Sequence, residues 1–192
     1  MRSHHLPRDP YNRNAYLSNF RGKSLRLPNH DYSAPGVYHV INCAKGINGR
    51  GPLFAHPVLD QLLKTHWIDL PKRFPSIQLD EFVVMPDHIH FVIWVNKWPG
   101  RLPEGEHPPY LWRIMQAYKS KVAVEWIDYV KANHPTWSAK IWQKRFYERI
   151  IRPGELNRVR FYIRENPDKA NGQSIYVGWE TLYERMGWEK PF

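Results

Sequence analysis

One stretch near the middle of the chain decides the fold: residues 83–95 read Val-Val-Met-Pro-Asp-His-Ile-His-Phe-Val-Ile-Trp-Val. Two apolar runs flank Pro86 and Asp87, and this pattern predicts a strand, a tight turn and a second strand. Because side chains alternate between the two faces of a strand, His88 and His90 should point the same way. The residues that follow them are apolar on both faces, which predicts a central position for the second strand in its sheet.

The histidine pair admits two interpretations. Two imidazoles held at the start of a packed strand can converge on one metal ion. The same spacing fits two ordinary histidines at a strand entrance, one hydrogen-bonded and one solvated. The pair alone does not decide between these interpretations, so the choice depends on what the rest of the chain supplies.

The composition of this 192-residue chain, 42% hydrophobic and 15% aromatic, predicts one globular domain with extensions. A formal net charge of +10 favours a polyanionic partner, with nucleic acid ahead of an anionic membrane surface. Nothing in the sequence looks like an interfacial amphipathic anchor, and no apolar run approaches the roughly 20 residues of a membrane span, so no membrane partner is expected. A single cysteine, Cys43, excludes an internal disulfide, and the first residues lack the apolar core of a secretory signal. We therefore expect a cytoplasmic protein.

The predicted elements follow the order strand, helix, strand, strand, helix, strand, helix. The strands are placed at residues 37–43, 77–85, 88–95 and the end of 141–152, and the helices at 57–70, 110–132 and 154–166. Pro71 and Pro75 are expected to mark the end of the first helix, and Pro167 to end the last. This order is that of a ferredoxin-like α+β fold, a central antiparallel sheet with helices packed on it. Residues 1–30 are predicted to be a basic, irregular arm, 31–170 the domain, and 171–192 a C-terminal extension.

The last predicted helix carries two stripes of residues. Leu156, Val159 and Ile163 share one face and should pack on the sheet, whereas Arg158, Tyr162 and Asn166 recur every four residues beside them. Tyr162 has two interpretations, a reactive phenol or a partly buried aromatic at a helix end. For Asn166 the alternatives are a polar site residue and a helix-terminal cap.

Three motifs, taken in this order, resemble those of the REP-associated tyrosine transposases, which belong to the HUH single-strand endonucleases. Met85-Pro86-Asp87-His88-Ile89-His90 resembles the family's Met-Pro-Asn-His-x-His motif, with Asp87 where asparagine is usual. The segments 141–143 and 147–152 look like its next block. Tyr162-Ile163-Arg164-Glu165-Asn166-Pro167 is similar to its Tyr-Ile-x-x-Asn-Pro block, in which the tyrosine is the nucleophile. The resemblance covers roughly residues 20 to 170.

The resemblance implies an enzyme that nicks and rejoins single-stranded or hairpin DNA from palindromic repeats. Tyr162 would attack the phosphodiester and form a covalent 5′-phosphotyrosine, with the C-terminal helix carrying this nucleophile. His88, His90 and Asn166 would hold Mg²⁺ or Mn²⁺, and imidazole ligands suit Mn²⁺ somewhat better. The protein would act as a monomer or a homodimer, and the sequence leaves open whether Tyr162 faces the histidines of its own chain.

Basic residues are expected to contact the DNA backbone: Arg158, Arg152 and, in the arm, Arg21, Lys23 and Arg26. The alternative for the arm is a solvated tail whose aromatic residues dock on the domain. A histidine-triad hydrolase would need a third histidine at position 92, where the chain has valine. A domesticated protein that grips DNA hairpins without cutting them remains the alternative function.

Overall fold

The computed structural model describes residues 34–45, 53–97 and 111–169, with side chains as far as residue 166. They fall in the second of two units, Asp31–Phe192, and the first unit is Met1–His30. The predicted arm and the predicted C-terminal extension lie outside the described residues. The described elements are the strands β1 (Gly36–Cys43), β2 (Ile77–Val84), β3 (His88–Val95) and β4 (Tyr147–Ile150), and the helices α1 (Pro57–Arg73), α2 (Leu111–Asn133) and α3 (Leu156–Lys169).

The strands form one four-stranded sheet in the order β2-β3-β1-β4. Each neighbouring pair is antiparallel, and β3 lies between β2 and β1, so the central position predicted for the histidine strand is confirmed. The connection between β2 and β3 is too short for a crossover, which forces the antiparallel pairing. The α+β fold class and the ferredoxin-like order of elements are therefore as predicted.

The larger core lies between the sheet and the helices α1 and α2. Phe91, at the middle of β3, is fully buried there, with its ring centroid 4.6 Å from that of Trp67 in α1 and 6.3 Å from that of Tyr118 in α2. The Tyr118 hydroxyl donates a hydrogen bond to the carbonyl oxygen of Leu63 at 3.0 Å, which satisfies its polar end in the core. Burial raises the pKa of this phenol well above its usual value.

A smaller core lies on the opposite face of the sheet, under α3. Val92 of β3 packs there with Val159 and Ile163 of α3, and all three are fully buried. The predicted apolar stripe of the last helix therefore packs on the sheet. Because side chains alternate along β3, this is also the face that carries His88 and His90.

Two prolines do not end their helices, contrary to the prediction. Pro71 lies inside α1, which continues to Arg73, and α3 continues to Lys169 beyond the position of Pro167. A proline removes only its own backbone N–H, and residues beyond it can still make helical hydrogen bonds, as the Phe74 N–H does to the Leu70 carbonyl oxygen at 2.9 Å. The fourth strand lies at the end of the segment 141–152, as predicted, where Tyr147–Ile150 pairs with β1.

Within the described residues, no helix combines the length and the apolar character needed to cross a membrane.

The core assignment can be tested with one substitution made at two positions. Phe91→Ala should lower the free energy of unfolding by about 3–5 kcal/mol, because it leaves a cavity between the sheet and α1. Phe161→Ala removes the same atoms from a side chain that is 64% exposed and should change stability by less than about 0.5 kcal/mol. Chemical denaturation measures both values, and equal losses would contradict the assignment.

Candidate active site

Two elements bring the candidate site residues together. β3 begins with His88 and His90, whose side chains lie on the sheet face that α3 covers. α3 meets this face through its buried stripe, and residues four apart on a helix share one edge of such a stripe. Tyr162 and Asn166 line the edge that faces the histidines.

The opposite edge of the stripe is anchored to β2 through a β-bulge. Leu79 pairs with Ile93 and Phe82 pairs with Phe91, so two residues of β2, Asp80 and Glu81, oppose a single residue of β3. A bulge of this kind resets the alternation of side chains. Both carboxylates consequently reach α3, whereas in a regular strand one of them would enter the larger core.

The two acidic residues form ion pairs with two arginines of α3. Arg160 binds Asp80 in a bidentate manner, with Nε at 2.8 Å from Oδ1 and Nη2 at 2.7 Å from Oδ2. Arg164 binds Glu81, with its Nε at 2.8 Å from Oε1 and its Nη2 on the same oxygen. Planar guanidinium groups make such directional pairs more readily than lysine.

The two carboxylates are buried, which makes each ion pair necessary to the stability of the fold. The side chain of Asp80 is 3% exposed and that of Glu81 is 0% exposed. Desolvation raises the pKa of Glu81 above its ordinary value, and the hydrogen bond and charge of Arg164 oppose that rise. Asp80 also accepts a hydrogen bond of 2.7 Å from the indole Nε1 of Trp94. The pairs fix how far α3 is rotated on the sheet, and that rotation turns Tyr162 toward the histidines.

Three imidazoles and one carboxylate form a continuous chain of contacts at this face. His90 lies at its middle, with Nδ1 at 3.1 Å from Nε2 of His39 and Nε2 at 2.9 Å from Nε2 of His88. At the end of the chain, Nδ1 of His88 lies 2.6 Å from Oδ1 of Asp87. Burial, together with the charge of nearby Arg149, lowers the pKa of His39 to about 3, so this imidazole is neutral near pH 7.

Tyr162 packs edge-on against this chain. Its ring centroid lies 5.8 Å from that of His90 and 6.2 Å from that of His39, and its side chain is half-buried. One helical turn further on, Nδ2 of Asn166 lies 3.0 Å from Nε2 of His90. Since α3 continues to Lys169, Asn166 does not lie at the helix end where a cap would be expected.

The donor atoms fit a small divalent cation. Two ligands of an octahedral ion, each about 2.1 Å from it and at right angles, lie about 3.0 Å apart. The Nε2 atoms of His88 and His90 are 2.9 Å apart, and the amide of Asn166 can turn its oxygen toward the same point. In the described ranges, no three His, Cys, Asp or Glu side chains are grouped to hold a metal, so the third protein donor would be this amide.

The predicted DNA-contact residues occupy different places. Arg158 is exposed on α3, and Arg152 is exposed just before it, with its backbone N–H bonded to the Glu155 carboxylate at 3.0 Å. This hydrogen bond is the main cause of a lowered pKa at Glu155. Neither arginine is in contact with the histidine chain. Arg21, Lys23 and Arg26 lie outside the described residues.

The sequence prediction missed five residues of this site: His39, Asp80, Glu81, Arg160 and Arg164. A signal for the acidic pair was present, because two adjacent carboxylates inside an otherwise apolar strand need cationic partners. His39 carried no such signal. Its place beside His90 follows only from the register of β1 on β3, in which Ile41 opposes His90 and Val92 opposes His39.

Comparison with known proteins places this geometry in a known fold. No model of a known protein family matches the chain. A Haemophilus influenzae protein without an assigned function is 28% identical over 173 residues, which cover 81% of this chain and 93% of the relative. A solved REP-associated tyrosine transposase bound to a REP hairpin superposes with a TM-score of 0.52 at 23% identity, over 77% of this chain and 75% of that one. A candidate transposase from Deinococcus radiodurans gives a TM-score of 0.44 at 19% identity, over 72% and 94%.

The likeness to the solved REP-associated tyrosine transposase shows that the chain has the fold of that protein. The resemblance inferred from the three motifs is confirmed for the fold.

The anchoring of α3 can be tested by removing one arginine at a time. Arg160→Met should lower the free energy of unfolding by about 3–5 kcal/mol, because it leaves the buried Asp80 carboxylate without its cation. Arg158→Met removes an exposed arginine from the same helix and should cost less than about 0.5 kcal/mol. Urea denaturation compares the two variants, and similar losses would show that the ion pair does not hold the helix.

Proposed function

We propose that the chain is a REP-associated tyrosine transposase, an enzyme that nicks and rejoins single-stranded or hairpin DNA. One observation carries the proposal: Tyr162 and Asn166 share the edge of α3 that faces the histidine pair of β3. Transesterification of DNA by a tyrosine requires a phenol and a metal-binding group, which here would be two imidazoles with converging Nε2 atoms and an amide. The likeness of fold to a transposase bound to a REP hairpin supports the same substrate class.

In the proposed reaction the phenolic oxygen of Tyr162 attacks a backbone phosphorus. The new bond joins this oxygen to the 5′-phosphate, and the bond from phosphorus to the 3′-oxygen breaks. The proton lost by the phenol is balanced by the proton gained at the released 3′-hydroxyl. Because the phosphodiester is conserved as a phosphotyrosine, attack by another 3′-hydroxyl rejoins strands without a nucleotide cofactor.

His88, His90 and Asn166 are proposed to hold one Mg²⁺ or Mn²⁺. Such an ion would stabilise the negative charge that develops on the phosphate oxygens. The protein's part is to keep the two Nε2 atoms directed at one point and to hold the Tyr162 ring beside them. Both tasks are performed within one chain, so we propose a site that does not borrow Tyr162 from a second subunit.

DNA is proposed to approach along the exposed side of α3. Arg158 lies one turn before Tyr162 and is exposed, as is Arg152 at the start of the helix. Phe161, which follows Arg158 by three residues, is 64% exposed and offers a flat surface on which an unpaired base can stack. The predicted arm, with Arg21, Lys23 and Arg26, would add phosphate contacts that the net charge of +10 favours.

Covalent trapping tests the proposed chemistry. With Mn²⁺ and a hairpin oligonucleotide labelled on the 3′ side of the cut, the chain should give a protein–DNA adduct on a denaturing gel. Tyr162→Phe should abolish the adduct, because phenylalanine has no oxygen to form the ester, and His88→Ala should reduce it at least 100-fold. Tyr129→Phe is the matched control and should retain the adduct. The hydroxyl of Tyr129, a residue of α2, lies 3.4 Å from Nε2 of His134, which is not one of the site histidines.

An adduct that persists in Tyr162→Phe would assign the nucleophile to another residue. Tight hairpin binding without cleavage or adduct under Mn²⁺, Mg²⁺ or EDTA would favour the alternative function, a hairpin-binding protein that does not cut.

The proposed stacking surface predicts a loss of affinity for single-stranded DNA. In a Tyr162→Phe background, Phe161→Ala should weaken binding about 5- to 160-fold, because stacking of one base is worth about 1–3 kcal/mol. Trp112→Ala removes another exposed aromatic, 41% exposed and on α2, and should leave affinity unchanged. Fluorescence anisotropy with a labelled oligonucleotide measures the affinity of both variants. An equal loss of affinity in the two would show that DNA does not bind along the exposed side of α3.

A further inference from the structure

Each site histidine has its own hydrogen-bond partner on the ring nitrogen that faces away from the convergence point. Nδ1 of His88 lies 2.6 Å from the Asp87 carboxylate, and Nδ1 of His90 lies 3.1 Å from Nε2 of His39. The partners come from different elements, the turn before β3 and the middle of β1. His39 is fully buried, and its ring stacks on His90 with centroids 5.3 Å apart.

The chemistry of these partners decides which nitrogen of each ring carries hydrogen when the site holds a cation. An imidazole binds a metal through a nitrogen without hydrogen, and the hydrogen then resides on the other nitrogen. The Asp87 carboxylate only accepts hydrogen bonds, so His88 must donate from Nδ1. His39 can accept through its Nε2 when its own hydrogen lies on Nδ1, so His90 can donate from Nδ1 in the same way.

We propose that Asp87 and His39 are the positioning residues of the candidate cation site. They keep the hydrogens of His88 and His90 on Nδ1 and thereby turn both Nε2 lone pairs toward one ion. This inference rests on the proposed function for the presence of the cation. It assigns to Asp87 and His39 the task of orienting the histidine pair toward the cation. Neither of these two residues touches the reacting atoms.

The contact between the two Nε2 atoms supports the proposal. At 2.9 Å, the two nitrogens either share a hydrogen or face one another with two lone pairs. Two lone pairs at this distance repel unless a cation lies between them. A partner such as His39, which can accept or donate, satisfies His90 in either state, whereas an apolar residue at position 39 would leave a buried Nδ1–H without an acceptor.

Mn²⁺ binding to the full chain without DNA tests the proposal, because it does not depend on cleavage. His39→Leu and Asp87→Ala should each weaken Mn²⁺ binding about 10- to 100-fold in titration calorimetry. His39→Gln and Asp87→Asn keep an oxygen that accepts the hydrogen bond and should stay within about 5-fold of the unmodified chain. His66→Leu is the control for loss of a mostly buried histidine outside the site, with an 11% exposed side chain, and should bind normally.

A second measurement uses the unmodified chain and avoids any folding defect in the variants. With saturating Mg²⁺, ¹⁵N chemical shifts of the imidazoles should show hydrogen on Nδ1 of both His88 and His90. Hydrogen on Nε2 of either ring would overturn the proposal, as would unchanged Mn²⁺ affinity in His39→Leu and Asp87→Ala.

The two failures can be told apart. A chain that binds Mn²⁺ with the expected variant effects but gives no DNA adduct would refute the transposase chemistry and keep the positioning roles. A chain that forms the Tyr162 adduct while the variants bind Mn²⁺ normally would refute the positioning roles alone.

Discussion

The site depends on the two ion pairs between β2 and α3. A charge that is as deeply buried as Asp80 or Glu81 is stable only beside a cation, and in the described residues α3 supplies both cations, Arg160 and Arg164. The apolar stripe of α3 brings the helix to the sheet, but hydrophobic burial is not directional. The ion pairs supply the direction, because each guanidinium must reach one fixed carboxylate. Tyr162 faces the histidines because the arginines occupy the other edge of the helix.

The β-bulge makes this arrangement possible. With regular alternation, one of the two acidic residues would point into the larger core, where no cation is available among its buried apolar side chains. The extra residue lets both carboxylates reach α3 while Leu79 and Phe82 remain in the larger core. The β-bulge in β2 thus determines, through the two ion pairs, which way Tyr162 of α3 faces.

The parts of the site that follow a local period can be predicted from the sequence. The alternation along β3 predicted that His88 and His90 share a face, and the four-residue spacing on α3 predicted that Tyr162 and Asn166 share an edge. The contact of His39 with His90 cannot be predicted in this way, because it depends on the strand register between β1 and β3. The bulge cannot be predicted either, since one extra residue leaves no mark in a run of mostly apolar residues. A proline in the last turns of a helix does not always end it, as Pro71 and the end of α3 show.

The helix anchored by Arg160 and Arg164 is proposed to present Tyr162 as the nucleophile. The most direct measurement is peptide mapping by mass spectrometry of the protein–DNA adduct formed with a hairpin oligonucleotide. A nucleotide is expected on the phenolic oxygen of Tyr162, in the tryptic peptide of residues 161–164. A nucleotide on any other residue, such as Tyr147 at the edge of the sheet, would show that Tyr162 is not the nucleophile.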